Sequence, residues 1–214
     1  MISIQCSNTI AAAKQAFLAL YKTGVQNSDD PALLCEDTAV IEVIDPSMSK
    51  LAFVRDKTSF RYTGQYAKYV LGIEKTLTKL EEDHYTEILL SDPALNTLVG
   101  CLRTSPSSRR ILLSTWLPMH AMPTRPAAPC LTQLYFRRNN GKLEVHSHFR
   151  ANDAYRLLLM DMQLVTSIQQ EVARQLGLSI GRYIHFVDSL HFYKEHIEHI
   201  TAQRDHVMQS PIWR

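Results

Sequence analysis

The spacing of apolar and polar positions divides the chain into segments of helical and of strand character. Residues 7–21 form a run rich in alanine and leucine behind Ser7 and Asn8, either of which can cap a helix N-terminus, so a helix is expected there. Residues 39–44 (AVIEVI) are β-branched and alternating, which predicts a strand, and Asp45-Pro46 stops it. Residues 66–80 read as a second helix. Asp92-Pro93 marks a turn before a third helix over 94–103. Residues 111–116 and 131–137 have the composition of buried strands, and Asn139-Asn140-Gly141 is a hairpin signal. Residues 142–149 would then return antiparallel to 131–137. The longest helical pattern covers 157–176 and ends at Gly177, a suitable C-terminal cap. A strand over 183–187 and a final helix over 189–200 complete the reading.

No internal repeat, low-complexity tract or linker interrupts the chain, which predicts a single domain over 1–214. Strands joined by a hairpin, mixed with helices in irregular order, argue for an α+β fold with a largely antiparallel sheet rather than repeated βαβ units.

Composition narrows the function classes. The 214 residues are 45% apolar and 21% charged, as in an ordinary globular protein. A formal net charge of +2 gives no footprint for nucleic acid or a membrane surface. No stretch approaches the roughly 18 apolar residues of a membrane span. The opening MISIQCSNTI lacks a basic region followed by a long apolar run, so no signal peptide is expected. Cys6, Cys35, Cys101 and Cys130 are scattered, without metal-type or disulfide-rich spacing. Free thiols in a cytoplasmic protein are therefore expected. His196 and His199 share a helix face, but no zinc-hydrolase pattern accompanies them, and no metal is expected.

Three features could carry chemistry. Cys130, taken alone, is either a packed apolar thiol or a nucleophile. Arg109 and Arg110 precede an apolar strand, so at least one guanidinium lies off the core; it is either solvated or a fork for phosphate. In the long helix, Val165, Ile168, Val172 and Leu176 trace the apolar face, and stepping back four residues from Val165 reaches Asp161. A carboxylate on a buried face is costly unless paired. Asp161 therefore meets either a structural partner or a ligand.

The segment from Ser105 to His199 resembles the thymidylate synthase and pyrimidine-nucleotide hydroxymethylase superfamily. SPSSRRILLSTWLP is similar to its double-arginine strand, and APCLTQLYF to its nucleophile strand, with Cys130 at the catalytic position and Gln133 at a glutamine. FRANDAY resembles its arginine-serine-x-aspartate loop, giving Arg150, Ala151, Asn152 and Asp153, and HFY resembles its histidine-x-tyrosine motif, giving His191 and Tyr193. The resemblance implies a homodimer binding a pyrimidine nucleoside monophosphate, with 5,10-methylenetetrahydrofolate as co-substrate. Cys130 would add to ring carbon 6 and make carbon 5 nucleophilic. Arg150 would bind the 5′-phosphate and favour the thiolate. Arg109 and Arg110 would reach the phosphate across the dimer. His191 and Tyr193 would hold sugar hydroxyls, and Asp153 would offer its backbone amide or side chain to the base carbonyl. Gln133 and Asn152 would join the nucleotide site. The family's catalytic glutamate would be Glu74, Glu81 or Glu82, with Glu74 the first candidate, and Tyr85 would match an active-site tyrosine.

Departures from the synthase pattern point toward cytidylate. Synthases carry asparagine at the position of Asp161, where the amide donates to O4 of uracil and accepts from N3–H. Cytosine reverses that edge, and a carboxylate accepts from its exocyclic amine. Family members acting on cytidylates have aspartate there. Leu131 replaces the histidine that follows the nucleophile, which suits a hydroxymethylase, in which water adds to the exocyclic methylene. Ala151 replaces a phosphate-binding serine, a loss of about 1 kcal/mol, and favours CMP over dCMP through the space it opens. The resemblance thus implies a cytidylate 5-hydroxymethyltransferase. The alternatives are methylation or hydroxymethylation of dUMP, and a catalytically silent nucleotide-binding member.

Overall fold

The structure, a computed structural model, describes residues 1–46, 92–118 and 128–209. The expected helix over 66–80 and Glu74, Glu81, Glu82 and Tyr85 lie outside the described residues.

A six-stranded sheet runs through the described residues in the order β1-β2-β6-β5-β4-β3. Its strands are β1 (Ile2–Cys6), β2 (Leu33–Val43), β3 (Leu112–Ser114), β4 (Leu131–Asn139), β5 (Lys142–Asp153) and β6 (Ser179–Tyr193). The helices are α1 (Thr9–Thr23), α2 (Asp92–Thr104), α3 (Leu158–Leu176) and α4 (Ile197–Gln209), with a 3-10 turn over Lys194–His196 between β6 and α4. β3, β4 and β5 pair antiparallel, as do β2 and β6, while β5 with β6 and β1 with β2 are parallel. The fold is α+β as the sequence indicates.

Local chemistry explains most of the boundaries. The Asn8 side chain accepts from the Ala11 amide at 2.9 Å and caps α1. Asn140 and Gly141 take positive φ values of 48° and 75°, and these two residues turn β4 into β5. Gly177 adopts the left-handed conformation (φ 65°, ψ 30°), and the Leu178 amide returns to the Ala173 carbonyl at 2.9 Å, closing α3.

Three elements differ from expectation, and one of them is β3, which covers only Leu112–Ser114 and is a largely exposed edge strand rather than a buried one over 111–116. The edge strand β1 is unpredicted, although ISIQC alternates apolar and polar residues as a half-buried strand does. The helix expected over 189–200 is a strand as far as Tyr193, and helix begins only at Ile197. β6 is paired on both sides there, with Asp153 opposite His191 on β5 and Leu33 opposite Tyr193 on β2. Two ladders of backbone hydrogen bonds outweigh a helical pattern of side chains.

The core lies between one face of the sheet and the helices. Phe17 and Leu20 of α1, Leu102 of α2, and Met162, Leu164, Val165, Ile168 and Val172 of α3 are buried there with Leu134, Phe136, Phe149 and Tyr183 of the sheet. α3 is buried well beyond its predicted stripe, because it is flanked by α1 and α2 as well as the sheet. Beneath it, Ser147, Tyr183 and His185 form a dry polar cluster, with the Tyr183 hydroxyl 2.6 Å from His185 Nδ1. Burial pushes His185 down to about 3, so its ring is neutral at physiological pH. On the opposite face, half-buried Tyr135, His146, His148, Ile184 and Phe186 line an open cavity with Leu112 and Gln133.

Candidate active site

Cys130 sits at the head of β4, where strand pairing to β5 begins. The Arg150 amide donates to the Cys130 carbonyl at 2.9 Å. The Arg150 side chain then folds back over the same loop: Nε donates to the Pro129 carbonyl at 3.0 Å and Nη2 to the Ala128 carbonyl at 2.8 Å. Its guanidinium carbon lies 5.7 Å from the Trp116 ring centre, within cation–π range. Ser114, Trp116, Thr132, Gln133 and Arg150 line a cavity of about 300 Å³ beside the thiol-bearing loop. Cys130 is half-buried, whereas the next residue, Leu131, is fully buried opposite Phe149. The residue that departs from the synthase pattern thus points into the core.

β5 and β6 bring the second group of residues to Cys130. Asp153 and His191 are register partners, and the Ala154 amide donates to the His191 carbonyl at 3.0 Å. Asp153 Oδ1 accepts from the amides of Tyr155 and Arg156 at 2.8 and 3.1 Å, so this carboxylate builds the turn into α3. Burial raises the Asp153 carboxyl from its ordinary value, against the pull of those two amides. His191 Nδ1 lies 3.0 Å from the Ser189 carbonyl, which can only accept, so Nδ1 carries the proton. In the neutral tautomer with that proton, Nε2 is the acceptor. Nε2 is buried and has no hydrogen-bond partner among the described residues. The His191 and Tyr193 rings meet edge to face, their centres 4.8 Å apart. Tyr193 is raised by partial burial and by negative charge on Asp153, Cys130 and Asp30, offset by Arg150.

Asp161 joins this end of β5 through Asn152. It lies in the first turn of α3, where the helix dipole favours a carboxylate, and is 2% exposed. Asn152 Nδ2 donates to its Oδ2 at 2.7 Å. The Asp161 charge also reaches Tyr183 on β6, whose hydroxyl burial pushes well above its ordinary value.

Arg109 and Arg110 are exposed and make no side-chain hydrogen bond or ion pair among the described residues. Arg110 borders a separate groove between α2 and β3, with Ala94, Thr97 and Cys101. Gln133 lines both the Trp116 cavity and the open one on the far sheet face. Ala151 is half-buried opposite Ser189.

Sequence reasoning missed two acidic residues at the rim. Asp30, in the loop before β2, is held by the Ala32 amide on its Oδ1 at 3.0 Å, and the Lys194 amide ties that loop to the end of β6 at 2.9 Å. Glu36 of β2 is the register partner of His191 and accepts from Ser189 and Asn27. Only the pairing of β2 with β6 brings these residues in, and neither carries a local signal. All four cysteines are free thiols, and no cluster able to hold a metal ion occurs among the described residues. No described helix is long and apolar enough to cross a membrane.

A thiol at the head of β4, an arginine of β5 folded over its loop and a histidine–tyrosine pair at the end of β6 belong to one sheet of the α+β fold. The comparisons identify the family. Residues 91–211, more than half of the chain, match the thymidylate synthase family, and the chain belongs to it. Thymidylate synthases of Listeria monocytogenes serotype 4a (strain HCC23) and of Listeria innocua serovar 6a are each 29% identical over 109 residues, covering 51% of this chain and 34% of theirs. The chain thus spans about a third of the length of these curated relatives. The fold is similar to that of thermostable thymidylate synthase A from Bacillus subtilis, with a TM-score of 0.68 at 15% identity over 92% of this chain and 84% of that one.

Proposed function

We propose that the protein transfers a one-carbon unit from 5,10-methylenetetrahydrofolate to carbon 5 of a cytidine monophosphate, CMP in preference to dCMP, and releases the 5-hydroxymethyl nucleotide. The observation that carries the cytidylate reading is the buried carboxylate of Asp161, at the position where synthases hold an amide.

On this reading, the Cys130 sulfur forms a bond to C6, and the electron pair of the C5–C6 double bond moves into the ring. Asp161 accepts a hydrogen from the exocyclic amine, and one from N3 once the adduct is protonated there. The folate supplies a carbon at the oxidation level of formaldehyde. C5 takes up that carbon and loses its proton, water adds to the resulting exocyclic methylene, and Cys130 departs as the C5–C6 double bond re-forms. CMP, methylenetetrahydrofolate and water thus give 5-hydroxymethyl-CMP and tetrahydrofolate. Arg150 has donor capacity beyond its two backbone bonds, which supports a phosphate contact. The Nε2 acceptor of His191 and the hydroxyl of Tyr193 suit sugar hydroxyls, which donate as well as accept. Trp116 offers an aromatic face beside the thiol-bearing loop, which fits a flat folate ring. Gln133, Asn152 and Asp153 complete the nucleotide side, with Glu74 and Tyr85 proposed as the water-organising acid and its neighbour. A homodimer through the open sheet face would bring Arg109 and Arg110 of one protomer to the phosphate of the other.

The second reading is methylation of dUMP, favoured by relatives that are themselves thymidylate synthases. The fate of the folate separates the two. Methylation takes a hydride from the folate and leaves dihydrofolate, whereas hydroxymethylation leaves tetrahydrofolate. During turnover of CMP, the absorbance that reports dihydrofolate should stay flat; a rise matching nucleotide consumption would overturn the hydroxymethylase assignment.

A further inference from the structure

Asn152 is 1% exposed and lies on β5 opposite Leu190, with its side chain turned to Asp161. Its Nδ2 is 2.7 Å from Asp161 Oδ2. A carboxylate oxygen accepts and cannot donate, so the amide orientation is set by charge: flipping it would press two oxygens together. With Nδ2 committed, Oδ1 is fixed too, and it is buried with no hydrogen-bond partner among the described residues. An unpaired buried acceptor is costly and calls for an explanation.

We propose that Asn152 is a positioning residue for base selection. Its Nδ2 holds the Asp161 carboxylate in the rotamer that receives an amine, and its Oδ1 adds a second acceptor beside it. The inference rests on the cytidylate reading given above. A primary amine donates two hydrogens and suits this pair of acceptors, whereas the O4 carbonyl of uracil would be set against them. Without the Asn152 donor, the carboxylate loses one fixed bond and can turn away from the base. Selection is then lost because Asp161 is misplaced, although it is still present. The pairing also joins the strand that carries Arg150 to the helix that covers the nucleotide, so phosphate and base contacts share one rigid frame.

The test is equilibrium binding of CMP and UMP without folate, which keeps the sugar and phosphate constant, on folded protein verified by its thermal melt. Wild type should favour CMP by at least ~10-fold. Asn152→Ala should reduce that ratio by most of this factor, mainly by weakening CMP. In an Asp161→Asn background, Asn152→Ala should change the ratio by less than ~3-fold, because a residue acting through another shows no separate effect once that partner is changed. Equal loss of selectivity in both backgrounds would overturn the positioning role, as would an unchanged ratio in the single variant. The near-isosteric Asn152→Asp is a second probe that preserves packing. At low pH the two carboxyls share a proton, and an O–H donor replaces the amide; at higher pH both ionise and repel. Its CMP preference should therefore fall with rising pH while that of wild type stays level, and parallel profiles would contradict the proposal. Preference of wild type for UMP would instead overturn the cytidylate reading itself, independently of any variant.

Discussion

Replacing Cys130 with alanine is expected to abolish the release of tritium from carbon 5 of the nucleotide, by roughly 10⁴-fold or more, as for removal of a nucleophile elsewhere. Labilisation of the C5 hydrogen requires the ring to lose its C5–C6 double bond, and only addition at C6 does that under mild conditions. In the proposed reaction, the half-buried thiol at the head of β4 makes that bond. Nucleotide binding should survive, because Arg150, His191 and Tyr193 are held by backbone contacts and strand pairing that do not involve the Cys130 side chain. Leu131, fully buried against Phe149, keeps the strand in register in the variant. Undiminished tritium release from Cys130→Ala would remove the thiol from the mechanism.

Asp161→Asn is expected to move preference from cytidylate toward uridylate. The amide can donate to O4 and accept from N3–H, the reverse of what the carboxylate offers. Each mispaired buried group costs roughly 1–3 kcal/mol, so the ratio of kcat/KM for the two nucleotides should shift by ~10- to 100-fold. The fold should tolerate the change, since the variant side chain has the same shape as the carboxylate it replaces. An unchanged ratio would mean that the residue at this position does not read the base.

The sequence made the nucleophile strand, the hairpin and the long helix legible because each depends on local chemistry. Asn140 and Gly141 tolerate positive φ, Gly177 ends α3, and the order of Cys130, Arg150, Asp153, His191 and Tyr193 carries the family pattern. Long-range pairing was illegible. Residues 189–193 read as helix by their side chains and are strand because β2 and β5 flank them. Asp30 and Glu36 approach the site only through that same β2–β6 pairing. The buried position of Asp161 followed from periodicity, but its partner did not: Asn152 is nine residues earlier, across the turn that Asp153 builds.

The account's central claim is one reaction at one ring carbon. Its most direct test is the mass of the nucleotide product after incubation with methylenetetrahydrofolate and, separately, CMP, dCMP and dUMP. The account predicts a product heavier than CMP by one CH₂O unit, with weaker conversion of dCMP and little of dUMP. A product heavier than dUMP by one CH₂ unit, with the cytidylates untouched, would contradict it.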